Sequence, residues 1–171
     1  MKRMFLILLA AIVLAGSSAQ AGFECFLEIP GVQGESTAEG QTNDITILAF
    51  AFDITRAAGG APQRSDLVVT KLLDKASPAL AFKCADGTMY QDAVLICRSS
   101  TPGRAIFYRI TLQDVAVNRV AVEGATADNR PRETVSLRFS RIRWEYYPIL
   151  PDGSQGPVVR HGWDFLANRP F

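Results

Sequence analysis

Apolar residues in this chain recur with a period of two, segment after segment, and that pattern commits most of it to β-sheet. In Asp44–Thr55, Ile45, Ile47, Ala49 and Ala51 share one face, while Thr46, Leu48, Phe50, Phe52 and Ile54 share the other. Both faces are largely apolar, which predicts a strand covered on both sides. Glu24–Ile29, Leu67–Leu73, Ala93–Cys97, Ala105–Leu112, Val115–Val122, Glu133–Tyr147 and Val158–Phe165 read as further strands. Turn-forming residues separate them: Arg56–Ser65 around Gly59-Gly60, Gly124–Pro131, and Pro151–Ser154. The longest segment changes phase, with Leu137 and Phe139 on one face but Ile142, Trp144 and Tyr146 on the other. A bulge near Ser140–Arg141, or cover on both faces, reconciles the two halves. In the second case Arg138, Arg141 and Arg143 need partners, because an unpaired buried charge is costly.

One segment breaks the alternation. Ser77-Pro78 opens it and Gly87 closes it, and Leu80 and Cys84 fall on one helical face. Ser77 can cap the first turn, Pro78 suits the first helical position, and glycine adopts the left-handed closing conformation. A short helix over about 77–86 follows. The expected architecture is mainly β, a compact barrel or sandwich of about seven to nine antiparallel strands with one flanking helix.

The N-terminus has a different character. Lys2 and Arg3 precede twelve uninterrupted apolar residues, Met4–Ala15, and small residues lead to Ala19-Gln20-Ala21. A charged start, an apolar stretch and an Ala-x-Ala exit have the layout of a secretory signal peptide. The apolar run falls short of the roughly 20 residues needed to span a bilayer, so no stable membrane anchor is expected after cleavage. Residues 1–21 are read as the leader and 22–171 as a single domain. Ala19, Ala21 and Gly22 mark the cleavage point, and the mature chain is placed in the periplasm or outside the cell. The leader takes Lys2 and Arg3 with it, turning a net charge of +1 into 16 basic against 17 acidic residues. A chain so close to neutral has no electrostatic affinity for nucleic acid.

An oxidising compartment permits disulfides. Cys25, Cys84 and Cys97 allow one internal bridge with three pairings. Cys84–Cys97, which closes the shortest loop, is the pairing singled out, against the alternative of three buried thiols.

Catalytic signals are sparse. His161 is the only histidine, and no Gly-x-Ser-x-Gly turn or Gly-x-x-x-x-Gly-Lys-Ser/Thr phosphate loop accompanies it. No metal-ligand spacing stands out, and Asp128, Asp152 and Asp164 read as turn and surface residues. The chain reads as a non-enzymatic β-domain with no cofactor and no metal site.

Several stretches nevertheless share an ordered resemblance. They are Gly31-Val32-Gln33-Gly34-Glu35-Ser36, Lys71–Pro78, Asn129–Leu137, Trp144-Glu145-Tyr146-Tyr147-Pro148, Gly162-Trp163-Asp164 and Ala167-Asn168. Together, across Phe23–Asn168, they resemble Hcp, the haemolysin-coregulated tube protein family of the bacterial type VI secretion system. The resemblance implies a β-barrel with one flanking helix, assembled as homohexameric rings stacked into an effector-carrying tube. It implies no cofactor; the partners are further copies, a spike protein and effectors. It also matches Arg56–Ser65 to a protruding loop that reaches a neighbouring ring, giving Arg56, Gly59, Gly60, Gln63 and Arg64 an assembly role around a mobile tip. The family assembles in the cytoplasm without a leader, so the leader here is a departure. It supports an alternative: an exported Hcp-like domain that binds a partner or effector without joining the contractile machine.

Overall fold

The computed structural model describes residues 22–101 and 103–171; the expected leader, with Ala19 and Ala21, lies outside them. The elements run β1 (Phe23–Glu28), β2 (Ile45–Ile47), β3 (Ala49–Ala51), β4 (Ile54–Thr55), β5 (Gln63–Arg64) and β6 (Leu67–Leu72). Helix α1 (Ser77–Asp86) follows, then β7 (Met89–Ser99), β8 (Ile106–Glu123), β9 (Arg132–Arg138), β10 (Arg141–Tyr146), β11 (Val159–Asp164) and β12 (Arg169–Pro170). All pairings are antiparallel, and the ladder closes on itself. β1 pairs with β2 and β7, β7 with β8, β8 with β9, β9 with β6, and β6 with β3, which continues β2 along the chain. β10, β11 and β12 extend the sheet outward from β8, and β4–β5 form a separate hairpin. Closure removes most of the free strand edges that would otherwise template unwanted pairing.

The strand count exceeds the sequence expectation because two long alternating segments are broken and the two-residue strands β5 and β12 are added. In Asp44–Thr55, Ile45 and Ile47 point into the core, but beyond Leu48 the inward residues are Phe50 and Phe52. The two phases are therefore two strands either side of a kink. The expected cover on both faces is absent within one chain: Leu48 is 49% exposed. The same device operates between β9 and β10. Leu137 and Phe139 point inward, pairing stops at Phe139–Ser140, and Ile142 resumes the inward phase. The expected bulge at Ser140–Arg141 is replaced by this interruption, bridged by the Ser140 amide donating to the Gln113 carbonyl at 3.0 Å. A register shift occurs instead on β8, between Val117 and Arg119. Conversely, Ala105–Leu112 and Val115–Val122 fuse into β8, which passes through Asp114 at φ 55°. Of the three arginines, Arg141 pairs with Asp114 at 3.1 Å, Arg143 lies over the Phe171 ring and Arg138 is exposed.

The helix falls where expected and packs against β8. Gly87 closes it at φ 71°, its amide donating to the Lys83 carbonyl. Ser77, however, does not cap the first turn. Its hydroxyl turns inward and joins Lys71, Asp74 and Glu133. The Lys71 ammonium donates to Ser77 Oγ at 2.9 Å and Glu133 Oε2 at 2.8 Å, and lies 2.7 Å from Asp74 Oδ1. Ser77 Oγ donates in turn to Glu133 Oε2 at 2.8 Å. Lys71 and Glu133 are directly opposite in the β6–β9 ladder and are 0% and 1% exposed. All three ammonium donors have partners, the condition under which a buried charge is tolerable.

Gly34 holds a second close approach. A Cβ there would lie 2.2 Å from the Asp44 carbonyl oxygen, a backbone atom that cannot swing away. The Gly34 amide donates to the Asn43 carbonyl at 2.7 Å, locking the Gly31–Ser36 segment against the start of β2.

Replacing Lys71 by Met leaves Glu133 buried beside Asp74 without a counter-charge, an expected cost of about 3–5 kcal/mol. The Lys71→Met, Glu133→Leu double variant is expected to recover most of that loss. Guanidinium unfolding of the two variants checks both statements.

Candidate assembly surface

Among the described residues, the segment Arg56–Ser65 forms the turn and second strand of the β4–β5 hairpin. Thr55 pairs with Gln63 and Ile54 with Arg64. At the far end Gly59 takes φ 74°, a backbone state with little penalty only for glycine. The Gly60 amide donates to the Ala57 carbonyl at 2.9 Å, and Arg56 Nε donates to the Gly60 carbonyl at 2.8 Å.

The five assembly residues expected from sequence thus divide into two groups. Arg56, Gly59 and Gly60 build the exposed tip. Gln63 and Arg64 sit at the base, where Gln63 remains exposed and Arg64 is half-buried. The Arg64 guanidinium donates to the Phe139 carbonyl and stacks 4.5 Å from the Phe139 ring and 5.1 Å from the Phe165 ring. Phe139 and Phe165 meet edge to face at 6.0 Å. Burial pushes the Arg64 pKa down, against the pull of Asp66. Arg64 therefore anchors the hairpin to the barrel at the β9–β10 interruption. Between hairpin and barrel lies an apolar groove of about 230 Å³ lined by Ile54, Arg56, Pro62, Trp144, Trp163 and Phe165. Sequence reasoning missed this groove. Its signal was the aromatic content of Trp144 and Gly162–Phe165, which no strand pattern placed beside Ile54.

A second surface lies at the β2–β3 kink. Leu48 and Leu72 line an open groove of about 440 Å³, where Arg130 pairs with Glu35 at 2.9 Å. Leu48, at the bend between β2 and β3, and Phe23, Val122 and Val159, on strands, are large apolar side chains left exposed on the single chain.

The cysteines pair differently from expectation. Cys84 lies on α1, half-buried, while Cys97 lies on β7. Cys97 instead stands directly opposite Cys25 in the β1–β7 ladder, with the sulfurs 3.3 Å apart. Sheet register decides proximity here, and loop length does not. His161 is exposed on β11, opposite Trp144. Gly22, the first described residue, directly precedes β1.

Replacing Arg64 by Ala removes the hydrogen bond and both ring contacts. An expected loss of about 1–3 kcal/mol follows, with faster amide exchange confined to residues 54–65. Hydrogen-exchange mass spectrometry reads the second effect; uniform acceleration across the barrel would contradict the anchoring role.

The family model "Type VI secretion system effector, Hcp" matches residues 26–146, which span β1 to β10. Protein hcp1 of Pseudomonas aeruginosa is 31% identical over 156 residues, covering 85% of this chain and 96% of that protein. The crystal structure of Hcp1 from Salmonella typhimurium superposes with a TM-score of 0.76 at 29% identity, covering 87% of this chain and 99% of that one. A structure described as a type six secretion system protein superposes with a TM-score of 0.83 at 27% identity, covering 88% and 100%. A closed antiparallel barrel, a single flanking helix and near end-to-end correspondence with these proteins lead to one assignment: this chain belongs to the Hcp family of the type VI secretion system.

Proposed function

We propose that residues 22–171 form a homohexameric ring, that rings stack into a tube, and that the tube carries effectors and meets a spike protein at its end. The family match across the whole barrel carries this reading. Two features of the chain support it. A ring closed by rotation requires head-to-tail contact between two different faces of the same subunit. The exposed apolar side chains Leu48, Phe23, Val122 and Val159 are surfaces that a neighbouring copy would cover. In this reading the β4–β5 hairpin supplies the stacking contact, held at its tip by Arg56 and at its base by Arg64. Function in this reading needs no catalytic group, cofactor or metal. It needs a rigid unit that repeats.

The N-terminal layout supports a second reading alongside the first. Residues 1–21 direct export, cleavage after Ala21 leaves Gly22 as the new terminus, and the mature protein works in the periplasm or outside the cell. There it binds a partner or effector without joining the contractile machine. N-terminal sequencing of protein from fractionated cells decides between them. A mature terminus at Gly22 supports the exported form. An intact Met1 terminus in cytoplasm, with the protein inside contractile-sheath preparations, supports the tube role alone.

Deleting Ala58–Pro62 removes the hairpin tip and spares Arg64. Negative-stain electron microscopy is expected to show stacked rings for the unaltered protein and isolated rings for the deletion. Unchanged stacks after deletion would remove the hairpin from the assembly surface.

A further inference from the structure

The cysteine contact has a chemistry that neither the tube role nor the hairpin uses. Cys25 and Cys97 are opposite residues on adjacent antiparallel strands. Opposite Cα atoms in such a ladder are about 4.5–5.5 Å apart, inside the range that a disulfide spans. Both side chains point to the same, inner face: Cys25 alternates with Leu27 and Cys97 with Leu95, all four buried. The 3.3 Å between the sulfurs is a thiol–thiol contact. That contact and burial push the Cys25 pKa up, while the hydrogen bond from Cys25 draws Cys97 down. Cys84, on α1, takes no part.

We propose that Cys25 and Cys97 are an oxidation site, joined as a cross-strand disulfide by thiol–disulfide exchange with a disulfide-bearing oxidant. One of the two cysteines, as its thiolate, attacks one sulfur of the oxidant's disulfide, forming a mixed disulfide and releasing the oxidant's first thiolate. The other then loses its proton to solvent, and its thiolate attacks the cysteine sulfur of that mixed disulfide, releasing the oxidant's second thiolate. Two electrons pass to the oxidant, its disulfide becomes two thiols by taking up two protons, and the two cysteine protons are the ones consumed. In the folded barrel Cys25 and Cys97 are 5% and 1% exposed. Exchange therefore takes place before the barrel closes, when an exported chain emerges unfolded into an oxidising compartment. The cellular form of this inference rests on the export reading.

The position gives the bond a purpose. With cleavage after Ala21, Cys25 is the fourth residue of the chain, and β1 lies between β2 and β7. Termini are where fraying begins, and β1 is held there by its ladder bonds, by Arg98 on Glu24 at 2.8 Å and by the edge contact of Phe23 with Phe107. The disulfide ties it covalently to β7, 72 residues away, closing a loop long enough to constrain the unfolded chain strongly.

The test uses residues 22–171 refolded from guanidinium in a mixture of reduced and oxidised glutathione, followed by alkylation and peptide mass spectrometry. The expected result is one alkylatable thiol, Cys84, a linked peptide pair carrying Cys25 and Cys97, and a Tm about 10 °C above the reduced protein. Cys84→Ser is expected to keep the linked pair. Three alkylatable thiols after refolding, or a bond that includes Cys84, overturns the proposal. A second arm expresses the full chain with its own leader and fractionates the cells. Processed periplasmic protein carrying the Cys25–Cys97 link supports both readings. Processed periplasmic protein with three reduced thiols overturns the disulfide and leaves export standing. Unprocessed cytoplasmic protein overturns export and the cellular form of the proposal, and the refolding arm alone then judges whether the pair can bond.

Discussion

A lysine ammonium shielded from water sets the terms for this fold. Lys71 lies on β6 opposite Glu133 on β9, and both are closed off from solvent. Their charges persist there only because Ser77 and Asp74 complete the coordination. That requirement joins three pieces of chain. The strand carrying Lys71 must meet the strand carrying Glu133 in one register. The turn after β6 must bring Asp74 back, and the helix must begin where Ser77 can point inward. A slip of one residue in β6–β9 would send Lys71 to the opposite face and leave a carboxylate unpaired in the core. The buried network is thus a register lock for the barrel as well as a dock for its only helix among the described residues. Two of the segments that carry the family resemblance, Lys71–Pro78 and Asn129–Leu137, converge on it.

The rest of the shell depends on two strands that turn corners. β2–β3 and β9–β10 each change inward phase at a single interruption, so one stretch of chain serves two stretches of the barrel wall. The kink at Leu48 leaves an apolar side chain outside. The break at Phe139 leaves a backbone carbonyl that Arg64 occupies. Both corners consequently sit beside the surfaces proposed for assembly. The corners that pack the single chain thus also shape the surfaces proposed for other copies.

Alternation with period two was readable from the residues and gave the β class. The Ser77-Pro78 and Gly87 signals gave the helix bounds. What periodicity could not supply was the difference between a strand buried on both faces and one that switches face midway. Ile45/Ile47 followed by Phe50/Phe52 satisfies both descriptions until the partner strands are known. Ser77 was misassigned as a cap for a related reason. A serine before a proline serves equally well as a cap or as a ligand for a distant lysine, and only the β6–β9 register distinguishes them. The cysteine pairing failed because it was judged by separation along the chain, whereas opposite positions on β1 and β7 decide the contact. The turn signal of Arg56–Ser65 overlaps the β4–β5 hairpin, but its anchoring by Arg64 between two aromatic rings depends on β9–β10 and the residues after β11, far off in sequence.

A small, rigid barrel with a locked register, no assembled catalytic group among its described residues, and prepared outer surfaces acquires a role by repetition. Its mass in solution is the quantity that bears most directly on that claim. Sedimentation velocity on residues 22–171, in salt high enough to screen adventitious charge contacts, is expected to give a dominant species of six chains or stacks of it. A single sharp boundary at the mass of one chain, persisting as the protein is concentrated, would contradict it.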